Sequence, residues 1–102
     1  MTNLAELTNN HIVELPTDFS GFTVDGFKDE FESLATAGHP TITLDFSKTE
    51  FIDSSGIGAI VFLYKRIEKN GHKLALLNVT GQPFKLMSLL RVDKTIPFID
   101  KV

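Results

Sequence analysis

Hydrophobic and polar positions along this chain change rhythm several times, and each change marks an element. Leu4, Ala5 and Leu7 precede Asn9-Asn10, and Ile12, Val13 and Leu15 follow it. Two short extended runs about an Asn pair predict a hairpin, and Pro16 ends the second run because it offers no N–H to a sheet ladder. From Val24 the spacing becomes helical: Val24, Phe27, Phe31, Leu34 and Ala35 share one face, and Gly38 followed by Pro40 gives the stop. Ile42, Leu44 and Phe46 then alternate with Thr41, Thr43 and Asp45, the period of a strand. Residues 56–70 return to helix, with Ile57, Ile60, Val61, Tyr64 and Ile67 along one side and Gly71 closing it. Residues 74–77 form an apolar run of strand length. Residues 80–90 predict a third helix, with Pro83 acceptable in its first turn and Phe84, Met87 and Leu90 expected to face inward. Residues 96–99 give a short final edge strand.

The predicted order is β-β-α-β-α-β-α-β. Strands alternating with helices imply an α/β fold, a mixed, mostly parallel sheet of about five strands with helices packed against it. Length is consistent with one domain over residues 1–102.

Composition narrows the classes of function. A net charge of −3 gives no basic field for a phosphate backbone, so nucleic acid is not expected as a partner. Lys65, Arg66 and Lys69 flank Glu68 on the second helix and read as a solvated face. The absence of cysteine excludes disulfides and thiolate metal sites. His11, His39 and His72 are scattered, without the paired spacing of metal ligands, so no metal or cofactor is expected. The N-terminus has neither the basic start nor the apolar stretch of a signal peptide. The longest apolar run is far short of the ~20 residues of a membrane span. A cytoplasmic protein without direct membrane insertion is expected.

The chemistry concentrates in residues 45–58, DFSKTEFIDSSGIG. Asp53-Ser54-Ser55-Gly56 stands where a helix should begin, and Asp and Ser are the side chains that cap free N–H groups there. Those same N–H groups, with the positive end of the helix dipole, would accept a phosphate on a serine. Residue types alone leave both readings open: a plain cap, or a modification site. Gly56 and Gly58 add a further signal, since each glycine costs a helix about 1 kcal/mol relative to alanine. Two so early in the helix suggest a close approach to the backbone by a neighbouring element or a partner.

The run Phe51-Ile52-Asp53-Ser54-Ser55-Gly56-Ile57-Gly58 resembles the F-[IM]-D-S-[ST]-G-[LI]-G signature of anti-sigma factor antagonists in the STAS family. The resemblance continues through Tyr64-Lys65-Arg66-Ile67 and Gly71-His72-Lys73-Leu74 to Leu89-Leu90-Arg91-Val92-Asp93-Lys94, covering residues 43–99. It implies that Ser54 is the phosphoacceptor, with Asp53, Ser55, Gly56 and Gly58 as its motif neighbours. It further implies a partner switch, not an enzyme. The unphosphorylated chain would bind an anti-sigma factor that is also a serine protein kinase, phosphorylation of Ser54 would release it, and a serine phosphatase would reset the system. A non-switching accessory subunit of a membrane phospholipid-transport ATPase is the alternative with the same fold.

Two catalytic or phosphoryl-accepting designs fit less well. A receiver domain phosphorylated on Asp53 would need an acidic pair for its metal at the end of the first strand, and Glu14 and Asp18 are isolated. A nucleophile elbow at Ser54 would need glycine where Ile52 stands. On a helical wheel, Gly58, Phe62, Arg66 and Lys69 lie away from the core side marked by Ile57, Ile60, Tyr64 and Ile67. Phe62, with Arg66 beside it, is therefore the expected partner-binding anchor, unless a neighbouring helix or loop covers it.

Overall fold

The computed structural model of the chain describes residues 10–100, so the first run of the expected hairpin lies outside the described residues. In chain order the elements are β1 (Asn10–Glu14), β2 (Asp18–Phe19), α1 (Gly21–Gly26), α2 (Lys28–Thr36), β3 (Thr41–Asp45), β4 (Phe51–Ile52), α3 (Ser54–Lys69), β5 (Lys73–Leu77), α4 (Gly81–Leu89), a 3-10 turn (Val92–Lys94) and β6 (Phe98–Ile99). The main sheet runs β1-β3-β5-β6, and every pairing in it is parallel. Each parallel neighbour is reached through a helical connection, as parallel strands require. The α/β fold expected from the alternation is therefore present, with a mostly parallel sheet.

Period two on β3 and β5 builds the core. Ile42 and Leu44 sit beside Leu74 and Leu76, all at most 2% exposed, against Ile57, Ile60, Leu63 and Ile67 of α3. Leu63 belongs to this face, whereas Tyr64, expected there, is half-buried at its margin. The opposite side of β3 buries a polar residue, Thr43, whose hydroxyl donates to the Asn10 side chain at 2.8 Å. That bond satisfies a group which would otherwise be costly to bury.

Three expectations need correction. The helix read from Val24 onward is two helices. The first begins at Gly21, with Thr23 Oγ1 accepting the Ser20 N–H at 2.9 Å, and a break at Phe27 separates it from the second. The apolar rhythm ran across the break because the Phe27 ring still packs on Phe19 and Phe31. In α4 the buried positions are Pro83 and Met87, one turn apart. Phe84 and Leu90 do not face inward: Leu90 lies beyond the last helical residue, and Phe84 rests edge-on against Phe98 at the sheet rim. Finally, β2 and β4 form a separate parallel pair that had no place in the predicted order. Two residues per strand are too few to show a period.

Candidate functional site

The β2–β4 pair is the foundation of the site. Phe19 pairs with Ile52, and both side chains are fully buried, so the chain leaving β4 starts from a fixed point. The next residue, Asp53, is extended (φ −120°, ψ −174°) and is the N-cap of α3. Its Oδ1 accepts the Gly56 N–H at 3.0 Å, and its Oδ2 accepts the Gly21 N–H of α1 at 3.2 Å. One carboxylate thus joins the starts of two helices, at the end of each where negative charge is favourable. The choice between Asp53 and Ser54 as cap is settled for Asp53.

Ser54 is the first residue of the 16-residue helix α3, and Ser54 and Ser55 are both exposed. With the cap supplied by its neighbour, the Ser54 hydroxyl is not required for that task. The two glycines separate into different roles. A Cβ at Gly56 would lie 2.3 Å from the Phe19 carbonyl oxygen and 2.7 Å from Ile52 Cγ1, whereas one at Gly58 would meet nothing within 4 Å. Gly56 therefore admits β2, an internal neighbour, and Gly58 leaves an exposed gap in the helix surface.

Further along α3, Phe62 is 64% exposed and stands at a groove of about 420 Å³ between α1, α2 and α3. Val24, Phe27, Phe31 and Ala59 form apolar walls, and Ser55 lies at its lining nearest the α3 start. Phe62 is not covered by a neighbouring element, as one reading of the sequence allowed. Arg66 differs from a free surface cation: its guanidinium sits 5.9 Å from the Phe62 ring centroid and pairs with Glu32 of α2. That hydrogen bond holds the Glu32 carboxyl below its ordinary pKa and raises Arg66. The contact is accordingly kept above the usual carboxylate range and lost as pH falls through the lowered value. Both side chains are substantially exposed, so it tethers α2 to α3 with little net stability.

Sequence reasoning missed three participants. Gln82 of α4 reaches the Ile52 main chain, Phe22 stands 96% exposed directly after the Gly21 amide bound by Asp53, and Glu32 partners Arg66. A polar residue two positions into a helix carries no sequence signal of a distant strand partner. His11 and His39, scattered along the sequence, stack with centroids 4.2 Å apart and planes 9° from parallel. Among the described residues no helix is long and apolar enough to cross a membrane.

The double use of Asp53 can be tested directly. Asp53→Ala should destabilise by about 1–2 kcal/mol, the usual loss for an acidic cap. Asp53→Asn keeps one acceptor oxygen but turns an NH₂ toward the other N–H, so about half of that loss is expected in urea denaturation. Wild-type stability in Asp53→Asn would show that only one of the two bonds matters.

The STAS domain family model matches residues 2–102. Over 59 residues the chain is 32% identical to the anti-sigma F factor antagonist of Paenibacillus polymyxa, a match spanning 58% of this chain and 50% of that relative's length. In structure it is similar to a proposed anti-sigma factor antagonist from Thermotoga maritima, with TM-score 0.83 and 26% identity over 92% of this chain and 81% of the other. It shares its fold with the Bacillus cell fate determinant SpoIIAA in the phosphorylated form, with TM-score 0.69 and 19% identity over 88% of this chain and 82% of that one.

Proposed function

Because this chain belongs to the STAS domain family, we propose that it is an anti-sigma factor antagonist acting as a phosphorylation-controlled partner switch with Ser54 as the phosphoacceptor. The observation that carries the reading is the division of labour at the α3 start. Asp53 takes the capping bonds, and the exposed Ser54 beside it is left free to react. A neighbour of the same fold is described in a phosphorylated form, which is a precedent for modification on this scaffold. In the unphosphorylated state the surface from Ser54 through Gly58 to Phe62 and Arg66 would receive an anti-sigma factor that is also a serine kinase.

Phosphorylation adds about −1.5 to −2 charge. The helix dipole welcomes that charge and the Asp53 carboxylate opposes it, so the fold should survive with little change in stability. The effect falls on the interface, where a doubly charged group would have to lose its water for the partner to dock. A serine phosphatase would then restore the binding form.

Intact-mass analysis of the protein purified from its own cells tests this, in three forms. One phosphate is expected on the wild type and on Ser55→Ala, and none on Ser54→Ala. Phosphate that persists in Ser54→Ala would overturn the assignment. A wild type that never carries phosphate and is retained by a membrane transport ATPase would replace the switch with the accessory role.

A further inference from the structure

Among the described residues, the strand that ends at Ile52 has a neighbour on one side only. Phe51 turns its N–H toward β2, donating to the Thr17 carbonyl at 3.2 Å, so the N–H and C=O of Ile52 point the other way. There they meet no strand among the described residues. The Gln82 side chain meets them instead: its Oε1 accepts the Ile52 N–H and its Nε2 donates to the Ile52 C=O, both at 2.9 Å. A primary amide presents an acceptor and a donor in the same plane, the same pair that a third strand would present. Ile52 is fully buried, so these main-chain groups have few alternatives. The residue after Ile52 is Asp53, whose carboxylate holds Gly56 and whose carbonyl accepts the Ile57 N–H at 3.0 Å. Gln82 therefore fixes the point from which the whole first turn of α3, Ser54 included, is projected.

We propose that Gln82 is a positioning residue for Ser54, an amide from α4 that stands in for a missing strand and holds the serine's main chain in the geometry a kinase must recognise. The proposal rests on the switch reading for its reaction and on the hydrogen bonds alone for its geometry. It makes α4, which carries no residue of the motif, a structural part of the modification site. Anything that shifts the start of α4 would alter how readily Ser54 reacts.

Gln82→Leu keeps the volume and removes both bonds, and Gln82→Glu keeps the acceptor but sets a carboxylate against the Ile52 carbonyl. Amide hydrogen exchange is read by NMR at Gly56 and Ile57, which bond to Asp53 and not to Gln82, with Leu44 and Leu76 of the core as references. Both variants should exchange about tenfold faster at Gly56 and Ile57, with the references unchanged. Unchanged exchange at Gly56 and Ile57, or a rise shared equally by Leu44 and Leu76, would overturn the positioning role. In parallel, each chain is labelled with γ-labelled ATP and a lysate of its own cells as kinase. The maximal rate of Ser54 labelling should fall about tenfold while the chain concentration for half-maximal rate stays the same. Equal labelling rates in variants with raised exchange would also overturn it. A wild type without label at Ser54 would instead overturn the switch reading, and the exchange result would then decide the role of Gln82 as holder of Asp53.

Discussion

Gly56→Ala should lose about 3 kcal/mol of stability, at the upper end of what overpacking a core position costs. The added methyl would sit 2.3 Å from a main-chain oxygen, that of Phe19, with Ile52 Cγ1 at 2.7 Å and Phe19 Cδ2 at 3.0 Å. A flexible side chain could move aside, but this oxygen belongs to β2, which is paired with β4 and carries a fully buried phenyl ring. Either β2 shifts and opens the aromatic packing of Phe19, Phe27 and Phe31, or α3 moves away from its cap. For a domain of this size the melting temperature should fall by about 10 °C or more. Gly58→Ala should do the opposite. Its Cβ would enter open space, and alanine in a helix gains about 0.5–1 kcal/mol over glycine. Thermal melts followed by circular dichroism give both numbers, and a Gly56→Ala variant as stable as wild type would show that β2 yields easily. If a partner's backbone uses the gap at Gly58, the stabilised Gly58→Ala protein should nevertheless bind that partner less well.

The two glycines also mark how far the chain can be read without coordinates. Their presence so early in a helix announced a close approach, and for Gly56 one occurs. The helical wheel already put Gly58 on the outward side; what the sequence could not say is that the element approaching Gly56 is β2, a strand of two residues without a detectable period. The long regular elements were legible for the reason that their rhythm is dictated by one buried face. Thr41 to Asp45 alternates, and Ile57, Ile60 and Ile67 recur at helical spacing. The Asp-Ser-Ser-Gly segment was legible as a helix start because capping chemistry is local. What escaped was non-local: the Gln82 amide matched to Ile52 across 30 positions, and Glu32 matched to Arg66 across 34. Spacing alone points Phe84 and Leu90 inward, yet α4 is short, and Pro83 with Met87 already fills its inner side.

Phe62→Ala should weaken binding to the proposed anti-sigma factor partner about 30-fold while lowering the melting temperature by no more than about 4–8 °C. An exposed ring contributes little to folding, and truncating a surface side chain usually changes stability by no more than about 0.5 kcal/mol. Its contact with Arg66, a cation near the ring face at 5.9 Å, adds about 0.5 kcal/mol at an exposed site. Binding is different, because an aromatic anchor seated in a partner can be worth about 2 kcal/mol or more, and that is about 30-fold in affinity. Phe62 is placed for the task. It stands at the groove whose lining includes Ser55, on the same helix as Ser54 and beyond the open gap at Gly58. Leu89→Ala on α4, where the side chain is 76% exposed, serves as the comparison: it removes similar exposed apolar surface away from α3 and should leave affinity unchanged. Calorimetric titration of the purified partner with each variant, alongside thermal melts, separates the cases. Equal losses from Phe62→Ala and Leu89→Ala would indicate nonspecific apolar contact. Preserved affinity with a drop well beyond that range would make Phe62 a packing residue and move the anchor elsewhere, with the 96% exposed Phe22 beside the Asp53-bound amide as the next position to truncate.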